Sequence, residues 1–286
     1  MIQNNCKKNI RIILSKKKNV IRQKYYKKEI CTQLDFGKIN KNTKVKDYQV
    51  VMAILYRLKT GCQWRELPMK QFFNVSYSWQ SVYYHFQKWS KNGNWERVWS
   101  SILKKYRHLL DLSSIQLDGT HTPAKRGGEA VAYQGRKKSK TTNILIVSDR
   151  QGIPIACSEP IAGNHNDAYE IEDNFNKMIR SVESAYISMK GLFLNADSGF
   201  DTSGFRKLCY KNDIFDNIGQ NKRNGGVSQT EFTVFDDDLY KHRFVIERTN
   251  AWLDAFKAIL IRFETRSLHW KGLLLLAFSV ILLRKL

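Results

Sequence analysis

Acidic residues are scarce in this chain: 26 Asp and Glu stand against 48 Lys and Arg, a net charge of 48 − 26 = +22. A compact fold carrying that much like charge repels itself unless a polyanion screens it, which leaves nucleic acid or an anionic membrane as partner. Long apolar runs are missing too. The best one, Leu273–Leu283, has 11 residues, against about 20 for a membrane-crossing helix, so it reads as a buried C-terminal helix and nucleic acid is the partner expected. No apolar stretch or cleavage site follows the basic N-terminus, so no secretory signal is expected. The five cysteines (Cys6, Cys31, Cys62, Cys157, Cys209) form no Cys-x-x-Cys pair and no Cys/His cluster. That argues against a zinc or disulfide framework and for reduced thiols in a cytoplasmic protein. Internal repeats and long low-complexity segments are absent as well.

What is present is enough apolar material for a core: 42% hydrophobic residues, with 7 Trp, 13 Tyr and 15 Phe. Three regions follow from the changes in pattern. Residues 1–42 form a basic N-terminal arm; up to residue 46 there are 14 Lys/Arg and two acids, 14 − 2 = +12. Ile10 to Ile21 intersperse apolar positions, so part of the arm is helical in this reading, and the arm is either solvated or a phosphate-binding element. Residues 43–112 show helical periodicity around Val50–Leu58, Trp79–Trp89 and Trp95–Tyr106, punctuated by Gly61, Pro68 and Gly93. A small bundle of helix-turn-helix type is expected there, either binding DNA or packing on the remainder. Residues 113–286 change period. Strands are expected at Ile115–Asp118, Asn143–Val147, Ile153–Ile161, Leu192–Asp197 and Asp216–Gly219, and helices at 167–182, Thr202–Asn212, Asp238–Thr265 and Leu268–Leu283. This pattern predicts a mixed α/β sheet covered by helices.

Two acids end apolar strands: Asp118 in Ile115-Gln-Leu-Asp-Gly-Thr, and Asp197 in Leu192-Phe-Leu-Asn-Ala-Asp-Ser-Gly-Phe. Half-buried carboxylates need a partner, the nearby glycines leave room for close approach, and Mg²⁺ takes such oxygens while keeping waters for phosphate. A third acid, Glu247, lies on a helix, four residues after Arg243; it is either a metal ligand or a surface glutamate paired with that arginine. Three such carboxylates can hold two metals roughly 3.5–4 Å apart for in-line displacement at a phosphodiester. Asp149, Asp213, Asp216 and Asp236–Asp238 compete, but read as loop, turn or helix-edge acids.

Taken together, Asp118-Gly-Thr, Asn195-Ala-Asp197-Ser-Gly-Phe and Tyr240-x-x-Arg243-x-x-x-Glu247-Arg-Thr-Asn-Ala-Trp252-Leu resemble the DDE transposases of bacterial insertion sequences, in the group conventionally numbered five. Gly163-Asn-His-Asn-Asp167, Ile54 to Pro68 and Val82 to Trp89 resemble further stretches of that family, so the resemblance spans roughly residues 45–275. It implies a ribonuclease-H-like core preceded by a helical DNA-binding region. It also implies Mg²⁺ or Mn²⁺, two ions in all, held by Asp118, Asp197 and Glu247. The implied partners are double-stranded DNA (element ends and target) and a second copy in a homodimer, in the cytoplasm at the nucleoid. Tyr240 and Arg243 match residues preceding the glutamate, with Arg243 either clamping a phosphate or pairing with Glu247. One departure is Asp254, where the family often has a lysine seven residues past the glutamate; Lys257, one turn on, or Arg248 would have to substitute. The basic segment with Arg126, Arg136, Lys137 and Lys138 is either a solvated hairpin tip or a backbone grip beside Asp118. His165 and Asp167 receive no firm role; Asp167 is a candidate helix cap. A same-fold nuclease without strand transfer, or an inactive transposase-derived DNA binder, would carry the same motifs.

Overall fold

The computed structural model describes residues 25–36, 45–221 and 235–286. The proposed helical stretch at Ile10–Ile21 lies outside them. Residues 25–36 are packed against the body: Ile30 is fully buried, and Lys105 Nζ donates to Glu29 Oε1 at 2.7 Å.

Four helices follow: α1 (Asp47–Thr60), the short α2 (Met69–Phe72), α3 (Trp79–Lys91) and α4 (Asn94–Tyr106). Their limits follow local chemistry. Gly61 ends α1 in the left-handed region, φ 68°, as a residue without Cβ does at little cost. Ser78 caps α3 by accepting the Ser81 N–H, and Val82, Phe86 and Trp89 put an apolar stripe inward.

The sheet has β1 (Ser114–Pro123), β2 (Ala132–Gln134), β3 (Ser139–Asp149), β4 (Pro154–Cys157), β5 (Ile161–Ala162), β6 (Phe193–Ala196) and β7 (Phe215–Ile218). Its order is β2-β3-β1-β6-β7, with β4 and β5 also on β3. β3 runs antiparallel to β1, while β6 and β7 run parallel to it. Helices α5 (Ile171–Ser184) and α6 (Ser203–Lys211) connect the later strands; α7 (Asp237–Lys241), α8 (Val245–Asp254), α9 (Lys257–Leu260) and α10 (Ser267–Leu283) close the chain. This is the ribonuclease-H-like mixed sheet flanked by helices, with an all-α region before it.

α10 is the apolar run read above as buried. Leu273 to Leu283 are all buried, Phe278 meets Trp99 at 5.5 Å, and Trp99 Nε1 donates to the Ile155 carbonyl of β4 at 3.3 Å. The last helix thus ties α3 and α4 to the sheet in one continuous core. Among the described residues, no helix is long and apolar enough to cross a membrane.

Three expected elements are corrected. Ile153–Ile161 is two short strands, because Ser158 Oγ takes the Leu145 N–H at 3.0 Å and Pro160 has none to offer. The helix expected at 167–182 starts at Ile171, behind Glu170 at φ 48°; Asp167 therefore does not cap it. The long helix expected over Asp238–Thr265 is broken into α7, a 3₁₀ turn at His242–Phe244, α8 and α9. The break at Ala255–Phe256 lets the Phe256 ring reach the core, where it is 2% exposed.

Candidate active site

β1 and β6 pair in parallel, and their last matched residues are Leu117 and Ala196. The next residue of each segment is an acid. Asp118 does not end its strand as expected, since β1 runs on to Pro123 against β3, and Asp197 lies just past the end of β6. The two carboxylates are therefore neighbours, roughly 5 Å apart along the sheet. Both point to one face, because side chains two apart share a face. Two residues earlier that face carries an amide ladder across three strands. Asn195 Nδ2 donates to Gln116 Oε1 at 2.8 Å, and Asn217 Nδ2 to Asn195 Oδ1 at 2.7 Å. All three amides are fully buried, which fixes the register that brings the aspartates side by side.

Asp118 is the strained member of the pair. Burial pushes the Asp118 carboxyl up to about 6; the charges of Asp167 and Asp197 push the same way, against the Gly119 N–H and the Asn250 amide. Asp197 Oδ1 accepts the Gly199 N–H at 2.8 Å, opening a 3₁₀ turn.

Asp167 approaches β1 at Gly119. A Cβ added there would lie 2.1 Å from Asp167 Oδ1, so only glycine admits the carboxylate. Asn143 Nδ2 donates to that oxygen at 2.7 Å, and His121 Nε2 lies 3.8 Å from it. The His121 imidazole is held below its usual pKa, chiefly by burial; Arg136 and Lys137 lower it too, against Asp167. Those two basic residues of the β2–β3 tip therefore lean their field toward this end of β1. Lys138 sits at the same tip with φ 48°.

α8 lies against β1. Asn250 Nδ2 donates to Asp118 Oδ2 at 3.5 Å, and Thr120 Oγ1 to Asn250 Oδ1 at 2.8 Å. Glu247 is exposed and precedes Asn250 by three residues, hence on an adjoining face of the same helix. Among the described residues, no three His, Cys, Asp or Glu side chains converge tightly enough to cage an ion. Thus Asp118 and Asp197 stand together, while Glu247 is on the helix whose Asn250 reaches Asp118, not gathered with the two aspartates.

The remaining candidates distribute as follows. The Tyr240 hydroxyl fills the space over Gly219. Arg243 forms no ion pair with Glu247 among the described residues. Its guanidinium lies 5.2 Å from the Tyr240 ring and 4.5 Å from that of Phe244, and its buried Nε has no hydrogen-bond partner. Arg248 faces the β3–β4 turn, donating to the Gln151 carbonyl at 3.3 Å. Lys257 does not continue the Glu247 face, a correction: the helix breaks at Ala255–Phe256 before it. Asp254 ends α8, exposed. Arg126 sits beyond β1 at the lip of a cleft.

The competing acids are accounted for. Asp149 caps the β3–β4 turn, Asp216 and Asp201 bind Arg206, and Asp236 caps α7. The sequence reading overlooked Asn250, Asn143 and His121 and left Asp167 without a role. Only Asn250 carried a signal: it is one turn past Glu247.

Residues 117–272, more than half of the chain, match the family model described as DDE superfamily endonuclease. The chain belongs to that superfamily: a DNA-cutting enzyme dependent on divalent cations. Residues 32–99 match a second model, described as "Putative transposase of IS4/5 family". The two matches lie in chain order, and together they support a transposase reading. Two solved complexes are similar at low level. The Mos1 transposase paired-end complex with the left transposon end shares 12% identity over 84% of this chain and 78% of that one, with a TM-score of 0.29. A pre-cleavage Mos1 transpososome shares 13% over 88% and 82%, also at 0.29. No curated protein matches the chain.

Proposed function

We propose that Asp118, Asp197 and Glu247 together hold the divalent cations of the transposase, two ions of Mg²⁺ or Mn²⁺, beside a DNA phosphodiester. The observation that carries this is the pair of aspartates brought side by side by the parallel strands β1 and β6, Asp118 within β1 and Asp197 just past β6, with Asp118 raised to about 6. Closely spaced carboxylates with few donors fit an oxygen-seeking cation of high charge. Glu247 joins them by turning on α8, whose contact with Asp118 runs through Asn250.

Bound there, the cations would activate a water or a freed 3′-hydroxyl and neutralise the leaving oxygen. The chain's own part is positioning. β1 and the end of β6 hold Asp118 and Asp197 rigidly, Asn250 orients the Asp118 carboxylate, and Asn143 and His121 fix Asp167 behind it. Arg243, stacked with one unmet donor, is suited to a DNA phosphate, and Arg136, Lys137 and Lys138 are suited to the backbone beyond β1. Arg248 and Lys257 are assigned to backbone contacts outside the carboxylate cluster.

The same reading divides the chain into a basic arm (1–42), a helical DNA-binding region (43–112) and the catalytic domain (113–286). Pairing of two element ends calls for a homodimer acting at the nucleoid. The test is an excision assay in cells with Asp118→Asn, Asp197→Asn and Glu247→Gln, each expected to abolish excision while DNA binding persists. Undiminished excision by any one of them removes that residue from the assignment.

A further inference from the structure

Between the helical region and the sheet lies an open cleft of about 1060 Å³. Aromatic faces and arginines line it: Trp64, Trp79 and Tyr83 from the helical side, Phe263 from the segment before α10, with Arg57 and Arg126. Trp64 and Tyr83 meet at 5.0 Å, and the Arg57 guanidinium lies 5.4 Å from the Trp64 ring. Phe263 is 45% exposed, a large apolar ring facing solvent. None of the three candidate carboxylates lines this space.

Arg57 is the second observation. It is 3% exposed. One nitrogen pairs with Glu264 at 3.0 Å, while its buried Nε and Nη1 find no hydrogen-bond partner. A buried guanidinium with unmet donors is costly; those donors lie behind the cleft wall, so Arg57 contributes positive charge to the cleft rather than a direct contact.

The volume suits a ligand larger than an ion, since small-molecule sites span about 300–1,000 Å³. Flat apolar walls take a planar ring by stacking, and guanidinium groups take a phosphate or stack on a base. A duplex hides the faces of its bases from such walls, so the base must be unpaired. Arg126 also follows β1, the strand that carries Asp118, so a nucleotide held here is linked to the candidate active site through one element.

We propose that this cleft binds an unpaired nucleotide of the DNA substrate. The base stacks among Trp64, Trp79, Tyr83 and Phe263, and its phosphate faces Arg126, with the buried charge of Arg57 behind the wall. The inference needs only that the chain binds DNA and is independent of which carboxylates hold metal.

The test uses the full chain without divalent cations. A duplex with a short single-stranded tail containing 2-aminopurine is compared with the blunt duplex, on wild type, Phe263→Ala and Arg126→Gln. Both variants alter exposed residues, and circular dichroism checks that they fold. Wild type should bind the tailed duplex on the order of tenfold more tightly than the blunt one, the scale of one aromatic stacking contact, and quench the probe. Phe263→Ala should lose most of that margin and the quenching while keeping its blunt-duplex affinity; Arg126→Gln should lose most of the margin. Equal affinity of wild type for both duplexes, or a full margin and quench retained in Phe263→Ala, overturns the proposal.

Discussion

Aspartates are treated in two opposite ways in this molecule. At the β3–β4 turn, Asp149 is fully buried, yet its oxygens accept three backbone N–H groups, from Asp111, Gln151 and Ile153, at 2.9, 2.9 and 2.7 Å. Beside β7, Asp201 and Asp216 share the Arg206 guanidinium at 2.8 and 2.6 Å. Midway along β1, Asp118 receives an amide contact of 3.5 Å and faces the charges of Asp167 and Asp197. The first group is satisfied by the protein and serves the fold. The second is left wanting positive charge, which in a chain of net charge +22 is a local exception. An acid that stays underpaired among so many lysines and arginines marks where the chain expects its charge from elsewhere.

The contrast breaks most readily in activity. Asp118→Asn or Asp197→Asn should lower DNA cleavage on the order of 10³-fold or more, the scale of losing a major charge stabiliser in a transition state. Asp149→Asn should leave cleavage per folded molecule nearly unchanged. A plasmid-nicking assay normalised to folded protein reads both. Stability should show the reverse order. Arg206→Leu strands two carboxylates and should cost about 3–5 kcal/mol, measured by urea unfolding.

Stability against pH sharpens the same point. The Asp118 pKa of about 6 in the folded chain lies above the roughly 3.9 of an unfolded chain, so the folded state binds its proton more tightly. That contribution is fully present below the unfolded value and is lost as pH rises through about 6. Metal-free Asp118→Asn should therefore gain on wild type as pH rises from about 4 to about 8, by on the order of 3 kcal/mol at most. No gain in chelator-containing urea titrations would mean that Asp118 is relieved within the protein. The smallest expected effect is at Asn250. Asn250→Ala should weaken Mn²⁺ binding by about 10–100-fold, as for partners that orient metal ligands, with little change in unfolding midpoint; calorimetry reads this.

That Asp118 and Asp197 come together was legible because a short apolar run leading into an acid survives any detail of packing, although β1 continues past Asp118. Most strand positions and α10 were legible for the same reason: β-branched runs and an all-round apolar helix have few other destinations, whereas the strand order was not. Asp167 and Asn250 were not legible as parts of the site. Their meaning depends on contacts between residues far apart in the chain, Asn143 with Asp167 and Asn250 with Asp118, which no local period encodes. The break after α8 was missed because helical spacing continues through it. Burial of Phe256, with Lys59 and Arg284 at 5.5 and 5.3 Å from its ring, overrides that local preference.

The most direct measurement is metal-directed backbone cleavage. Fe²⁺ replaces the native ion in the full chain, peroxide is added, and mass spectrometry maps the cuts. Cuts clustered next to Asp118, Asp197 and Glu247, and lost together in Asp118→Asn, are the predicted result. Cuts near Asp118 and Asp197 with none near Glu247, or cuts away from all three, would contradict a shared three-carboxylate site.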